Sequence, residues 1–142
     1  MKIIFDYNRT IFDPEQQELY SGVLELITYL SDKHELFLVS KNEAGRKEKL
    51  DSLGISSFFE KIIFTNNKTT QLFSEIVNGE NNVIVVGDRI LGEITIGNKL
   101  NLITVWLKQG KFSNEHPVSD EQKPKHIIYD ISELKEIIKN YE

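Results

Sequence analysis

Five side chains of the right types stand at the ends of apolar runs. Asp6 closes the run Ile3-Ile4-Phe5, and Asp88 follows Val83–Val86 after a single glycine. Ser40 closes Leu36–Val39, Lys68 stands shortly after Ile62–Phe64, and Glu93 lies one helical turn beyond Asp88. Two carboxylates from neighbouring strands can hold magnesium, which prefers oxygen ligands and keeps several waters. A serine hydroxyl, backbone amides at helix starts and a lysine can hold phosphate oxygens. A carboxylate pointed at phosphorus can be a nucleophile. Magnesium and lysine would offset the repulsion between the anions and stabilise the transition state. Each residue alone is an ordinary loop starter. Together they form a constellation, provided the fold brings them to one edge.

The elements that must do so can be read from periodicity. Strands are expected at 2–7, 35–39, 61–64, 82–86, 102–107 and 126–129, each built on a short apolar run. Helices are expected at 21–32, with Ser21 as N-cap, at 43–53 stopped by Gly54, at 69–77 closed by Asn78-Gly79, and at 90–100 and 131–141. Strands thus alternate with helices, the pattern of a parallel sheet covered on both faces with right-handed crossovers. In such sheets, ligands bind beyond the carboxyl ends of the strands. The polar stretch 108–125 holds two of the three prolines. It reads as a mobile surface loop.

The 142 residues are the size of one domain, and the 39% hydrophobic content suffices for a core. A net charge of -5 argues against a general nucleic-acid binder and suits small molecules or a specific partner. The absence of cysteine excludes disulfides and thiolate metal sites. No apolar run is long enough for a membrane span, and the N-terminus has no signal-peptide plan, so a cytoplasmic location is expected. Two glycosylation patterns, at Asn8 and Asn67, are then read as chance.

In this order the motifs resemble those of the haloacid dehalogenase (HAD) superfamily of phosphotransferases. Asp6-Tyr7-Asn8-Arg9-Thr10 stands for the family's Asp-x-Asp-x-Thr, Ser40 in "LFLVSKN" for its second motif, and Lys68 in "NNKTTQLF" for its third. "VIVVGDRILGEI" stands for the fourth, with Glu93 where Asp is commoner, and Asn101 replaces a usual glycine before the fifth strand. The resemblance covers nearly the whole chain, 1–142. It implies a three-layer Rossmann-like α/β domain with a mostly parallel sheet of about five or six strands. It implies that Asp6 forms an aspartyl-phosphate while Ser40 and Lys68 hold the phosphoryl group. Asp6, Asp88 and the carbonyl of Asn8 would bind magnesium, with Glu93 assisting. Neither 11–20 nor 65–67, where the family inserts caps, can hold one. The open site suits a large phosphorylated substrate, or one enclosed by a neighbouring subunit.

Asn8 departs from the family. The acid usually there protonates the leaving oxygen and later deprotonates the attacking water, work worth typically ~10²–10⁴-fold. An amide cannot do it. Alkyl phosphates should therefore react slowly, acyl and aryl phosphates should suffer less, and an aspartyl-phosphate should be long-lived. The same substitution leaves open a non-catalytic module that retains magnesium or phosphate binding. A two-component receiver domain is set aside, because the third strand ends "FTNNK" without an acid. Lys41, next to Ser40, is a further substrate-binding candidate. Arg46, Lys47 and Lys49 are expected on a solvated helix face, Trp106 in packing, and His34, His116 and His126 in structural or surface roles.

Overall fold

The computed structural model describes residues 1–142. Its elements run β1 (Lys2–Asp6), β2 (Phe12–Asp13), β3 (Glu18–Leu19), α1 (Val23–Ser31), β4 (Glu35–Lys41), α2 (Arg46–Ser52), β5 (Lys61–Thr65), α3 (Thr70–Val77), β6 (Val83–Gly87), α4 (Thr95–Lys99), β7 (Ile103–Leu107), β8 (His126–Ile128) and α5 (Leu134–Lys139). Six strands form one sheet in the order β5-β4-β1-β6-β7-β8, every pair parallel. The order reverses at β1, which lies between β4 and β6. That reversal opens the crevice in which such folds bind ligands.

Both faces of the central strands are apolar because both are covered. Ile3 and Phe5 of β1, with Ile84 and Val86 of β6, join Val23, Ile27 and Leu30 of α1 and Leu134 and Ile138 of α5. The alternate residues Ile4, Val83 and Val85 pack with Phe73, Ile76 and Val77 of α3 on the other face. The result is the three-layer architecture expected from the alternation. No helix is long and apolar enough to cross a membrane.

Five details differ from the sequence expectation. Gly22, in left-handed backbone, occupies the N-cap of α1, and Ser21 is not the cap. Helix α2 starts three residues late, after Gly45, so Arg46 is its first residue and turns inward: it is buried, not on a solvated face. The expected helix at 90–100 is broken, with a wide π-type turn over Ile90–Ile94 and non-helical backbone at Gly92 before α4. Segment 11–20 forms a small hairpin, β2–β3. Segment 108–125, expected to be mobile, is tied down at several points. Glu115 accepts from the Ile90 amide at 2.8 Å, and the Asn98 side chain donates to the carbonyls of Glu121 and Lys123, each at 2.8 Å.

Candidate active site

Sheet register sets the site. Asp6 ends β1 opposite Val39 of β4, which places Ser40 one residue further along. On the other side Phe5 pairs with Val86, so Gly87 and Asp88 run on beside Asp6. Lys68 immediately precedes Thr69, the N-cap of α3, whose hydroxyl accepts from the Leu72 amide at 3.1 Å. The π-type turn carries Glu93 back under Gly87. A Cβ on residue 87 would lie 2.7 Å from Glu93 Oε2, so only glycine leaves room for that carboxylate. Trp106 is packed as expected, and its Nε1 also donates to the Asp88 carbonyl at 2.9 Å, which fixes the turn after β6.

Oxygen atoms of Asp6, Asp88 and Glu93 lie within 4.8 Å of one another. Lys68 Nζ bridges two of the three, donating to Asp6 Oδ1 and to Glu93 Oε1 at 2.5 Å each. Thr10 Oγ1 reaches Asp6 Oδ2 at 3.4 Å. Asp88 Oδ2 and Glu93 Oε2 are buried and have no hydrogen-bond partner. Burial would by itself lower the Lys68 pKa, but the charges and hydrogen bonds of Asp6 and Glu93 outweigh it and hold it above the ordinary lysine range. Burial, then the charge and hydrogen bond of Asp6, then Glu93, push the Asp88 carboxyl up to about 8. Burial and Asp6 likewise raise Glu93, against the pull of Lys68. Three carboxylates with one cation are thus short of positive charge. An oxygen-preferring divalent cation would satisfy both the charge and the two orphaned oxygens. The donor set fits magnesium.

Ser40 is fully buried at the end of β4. Its hydroxyl accepts a short hydrogen bond from Arg46 Nη1 and donates to the Lys41 carbonyl at 3.3 Å. Arg46 also bonds Glu43 Oε2 through Nη2 at 2.5 Å and lies 4.3 Å above the Tyr7 ring. Sequence reasoning missed Arg46, because a charged residue in a charged helix gives no sign that it points inward. Lys41 is exposed and makes no contact with the carboxylates. Asn8 lines a cleft of about 470 Å³ between the β2–β3 hairpin and the start of α2, together with Tyr7, Phe12, Arg46 and Lys49. A second cleft, of about 440 Å³, lies at the far, amino end of the sheet, where Lys2 Nζ donates to the Ile76 carbonyl at 2.8 Å. The three histidines stand away from the cluster: His34 pairs with Glu142, His126 bonds the Tyr141 hydroxyl, and His116 is exposed.

The family model for HAD-hydrolase-like proteins matches residues 66–134. That stretch carries Lys68, Asp88 and Glu93; Asp6, Asn8 and Ser40 precede it. The chain is similar to an uncharacterized protein from Listeria monocytogenes serotype 4b, with TM-score 0.74 and 15% identity over 99% of this chain and 98% of that one. It is similar to a candidate HAD-hydrolase from Bacillus subtilis bound to magnesium, with TM-score 0.71 and 21% identity over 86% of this chain and 57% of that one. It is also similar to the core domain of a candidate phosphoglycolate phosphatase from Streptococcus pneumoniae, with TM-score 0.68 and 13% identity over 98% and 95% of the two chains. No curated protein matches the sequence. The chain therefore has the fold of the HAD-like hydrolases without an inserted cap, and its second half carries their sequence pattern.

Proposed function

We propose that the protein is a magnesium-dependent phosphohydrolase or phosphotransferase that works through an aspartyl-phosphate on Asp6. The carrying observation is the cluster of Asp6, Asp88 and Glu93 around the Lys68 ammonium at the point where the strand order reverses. Asp6, Asp88, Glu93 and the carbonyl of Asn8 would hold the metal. Bound there, magnesium supplies charge neutralisation for the transferring phosphoryl group. An Asp6 oxygen attacks phosphorus, an O–P bond forms to Asp6, and the O–P bond to the leaving group breaks. Lys68 has three N–H donors and spends two on carboxylates, so the third is free for a phosphoryl oxygen. Ser40 would turn its one O–H from the Lys41 carbonyl, held at 3.3 Å, to the same group. Asn8 has no proton to give, so the leaving oxygen must depart as an anion or take its proton from water. Water then attacks phosphorus and releases phosphate, again without a base at position 8.

This chemistry favours acyl and aryl phosphates over alkyl phosphates. The open mouth suits a large phosphorylated substrate or a second subunit as cover, in a cytoplasmic setting. The test is a turnover screen with magnesium across acyl, aryl and alkyl phosphates. Acyl and aryl esters are expected to react, alkyl esters hardly, and Asp6→Asn to remove all turnover. Turnover that survives Asp6→Asn overturns the assignment. The second reading, a binding module with a silent site, is favoured by Asn8 alone and requires that no phosphate ester turns over.

A further inference from the structure

The cleft beside the carboxylates has its own chemistry. Its floor is the stacked pair Tyr7 and Phe12, with ring centroids 4.8 Å apart and planes 12° apart. Two cations line it, Arg46 and Lys49, and one acid, Glu43. The Tyr7 hydroxyl is buried there with no hydrogen-bond partner. Arg46 is only 7% exposed. A guanidinium is taken out of water at a cost, and proteins do so where it is paired or used. Here one end touches the Ser40 hydroxyl, and the other is held by Glu43, whose side chain is 58% exposed and only three residues away. The acid holding this cation is therefore itself in solvent and free to be displaced. A guanidinium presents five donors in a planar fork, more than these two partners use.

We infer that this cleft receives the leaving part of the substrate, and that Arg46, assisted by Lys49, recognises a second anionic group carried by it, either a carboxylate or another phosphate. The inference rests on the reading of Asp6 as the phosphoryl acceptor, since the contact from Arg46 to Ser40 puts this second anion beside the transferring group. Glu43 occupies the fork until substrate displaces it. Arg46 thus determines specificity; it is held against the buried Tyr7 ring at 4.3 Å, which fixes the direction of its fork. The substrate class is a phosphate monoester or anhydride with a second negative charge a few atoms from the scissile bond.

A matched pair tests this: 3-carboxyphenyl phosphate and 3-methylphenyl phosphate, whose phenols have similar acidity. Dissociation constants are measured by calorimetry on the Asp6→Asn protein with magnesium, so that binding is read without turnover. The carboxylated probe is expected to bind about tenfold tighter, the worth of one charge-assisted hydrogen-bonded contact. Arg46→Met should erase that preference while leaving the affinity for the methyl probe near its starting value. Glu43→Gln should strengthen binding of the carboxylated probe only, and Lys49→Ala should weaken it severalfold. The last two positions are exposed enough to change without loss of the fold, and they decide the matter if Arg46→Met does not fold. Equal affinity for both probes, equal loss of both in Arg46→Met, or no response to Glu43→Gln and Lys49→Ala overturns the inference. Failure of the wild-type protein to turn over any ester would instead overturn the catalytic reading, and this binding result would stand apart from it.

Discussion

Lys68 is the residue whose environment says most about the site. Its side chain is 19% exposed and bridges Asp6 and Glu93, so it balances charge that the fold has gathered at a cost. Replacing it by methionine keeps the length and removes the ammonium. Without metal at neutral pH, Lys68→Met is expected to cost about 3 kcal/mol, the usual scale for stranding one side of a buried ion pair. Urea unfolding measures it, and an unchanged midpoint would contradict the account. At this scale the sequence was legible where a polar residue ends an apolar run: Asp6, Ser40 and Asp88 all lie where that pattern put them. Thr10 belonged to the quoted motif, and its hydroxyl reaches Asp6. Arg46 was not legible, because its inward turn depends on α2 starting after Gly45, and local composition does not fix that start.

Among the elements, β6 and the turn after it do the positioning. Gly87 is the hinge of that arrangement: a methyl at this position meets Glu93 at 2.7 Å. Gly87→Ala is expected to push Glu93 out of the cluster, to lower stability by about 1–3 kcal/mol as overpacking does, and to weaken magnesium binding. Thermal unfolding with and without magnesium reads both effects. A variant with native stability and native magnesium response would show that Glu93 is not needed beneath residue 87. The strands were readable because each carries a short apolar run bounded by polar residues. The β2–β3 hairpin was not, since two-residue strands leave no period to detect. The turn over Ile90–Ile94 was read as plain helix because its apolar spacing is helical; the break at Gly92 serves Glu93. Asn101 has φ 57°, the left-handed region where asparagine is the common substitute for glycine, which explains how it replaces the usual residue there.

For the whole molecule, the cluster couples stability to pH. The folded Asp88 carboxyl, pushed up to about 8 by burial and its acidic neighbours, holds a proton that the unfolded chain releases near its ordinary value of 3.8. The native state therefore binds more protons between those values, and the metal-free protein loses stability as pH rises through that window, by up to about 1.4 kcal/mol per pH unit for one proton. His126 acts oppositely, since burial lowers it from 6.5. Its effect fades above pH 7, while Glu93, also raised by burial and Asp6, acts in the same direction as Asp88, so from pH 7 to 8 the acidic cluster dominates. Magnesium competes with that proton, and its stabilising effect on the melting temperature is expected to be larger at pH 8 than at pH 5. A metal-free melting temperature that stays level or rises from pH 7 to 8 would contradict this. The alternation of strands and helices was enough to predict the layered parallel sheet. It was not enough to predict how segment 108–125 closes against the rest, because Glu115 and Asn98 make long-range contacts that leave no local pattern.

The central claim is that Asp6 accepts a phosphoryl group and that Asn8 leaves it stranded there. The most direct measurement is intact-protein mass after mixing with acetyl phosphate and magnesium, followed over time after the donor is removed. The account predicts a single phosphoryl adduct that maps to Asp6, persists in the wild-type protein, is absent in Asp6→Asn, and decays much faster in Asn8→Asp, by roughly the ~10²–10⁴-fold that general acid–base catalysis contributes. No adduct in either the wild-type or the Asn8→Asp protein, or an adduct that forms equally in Asp6→Asn, would contradict it.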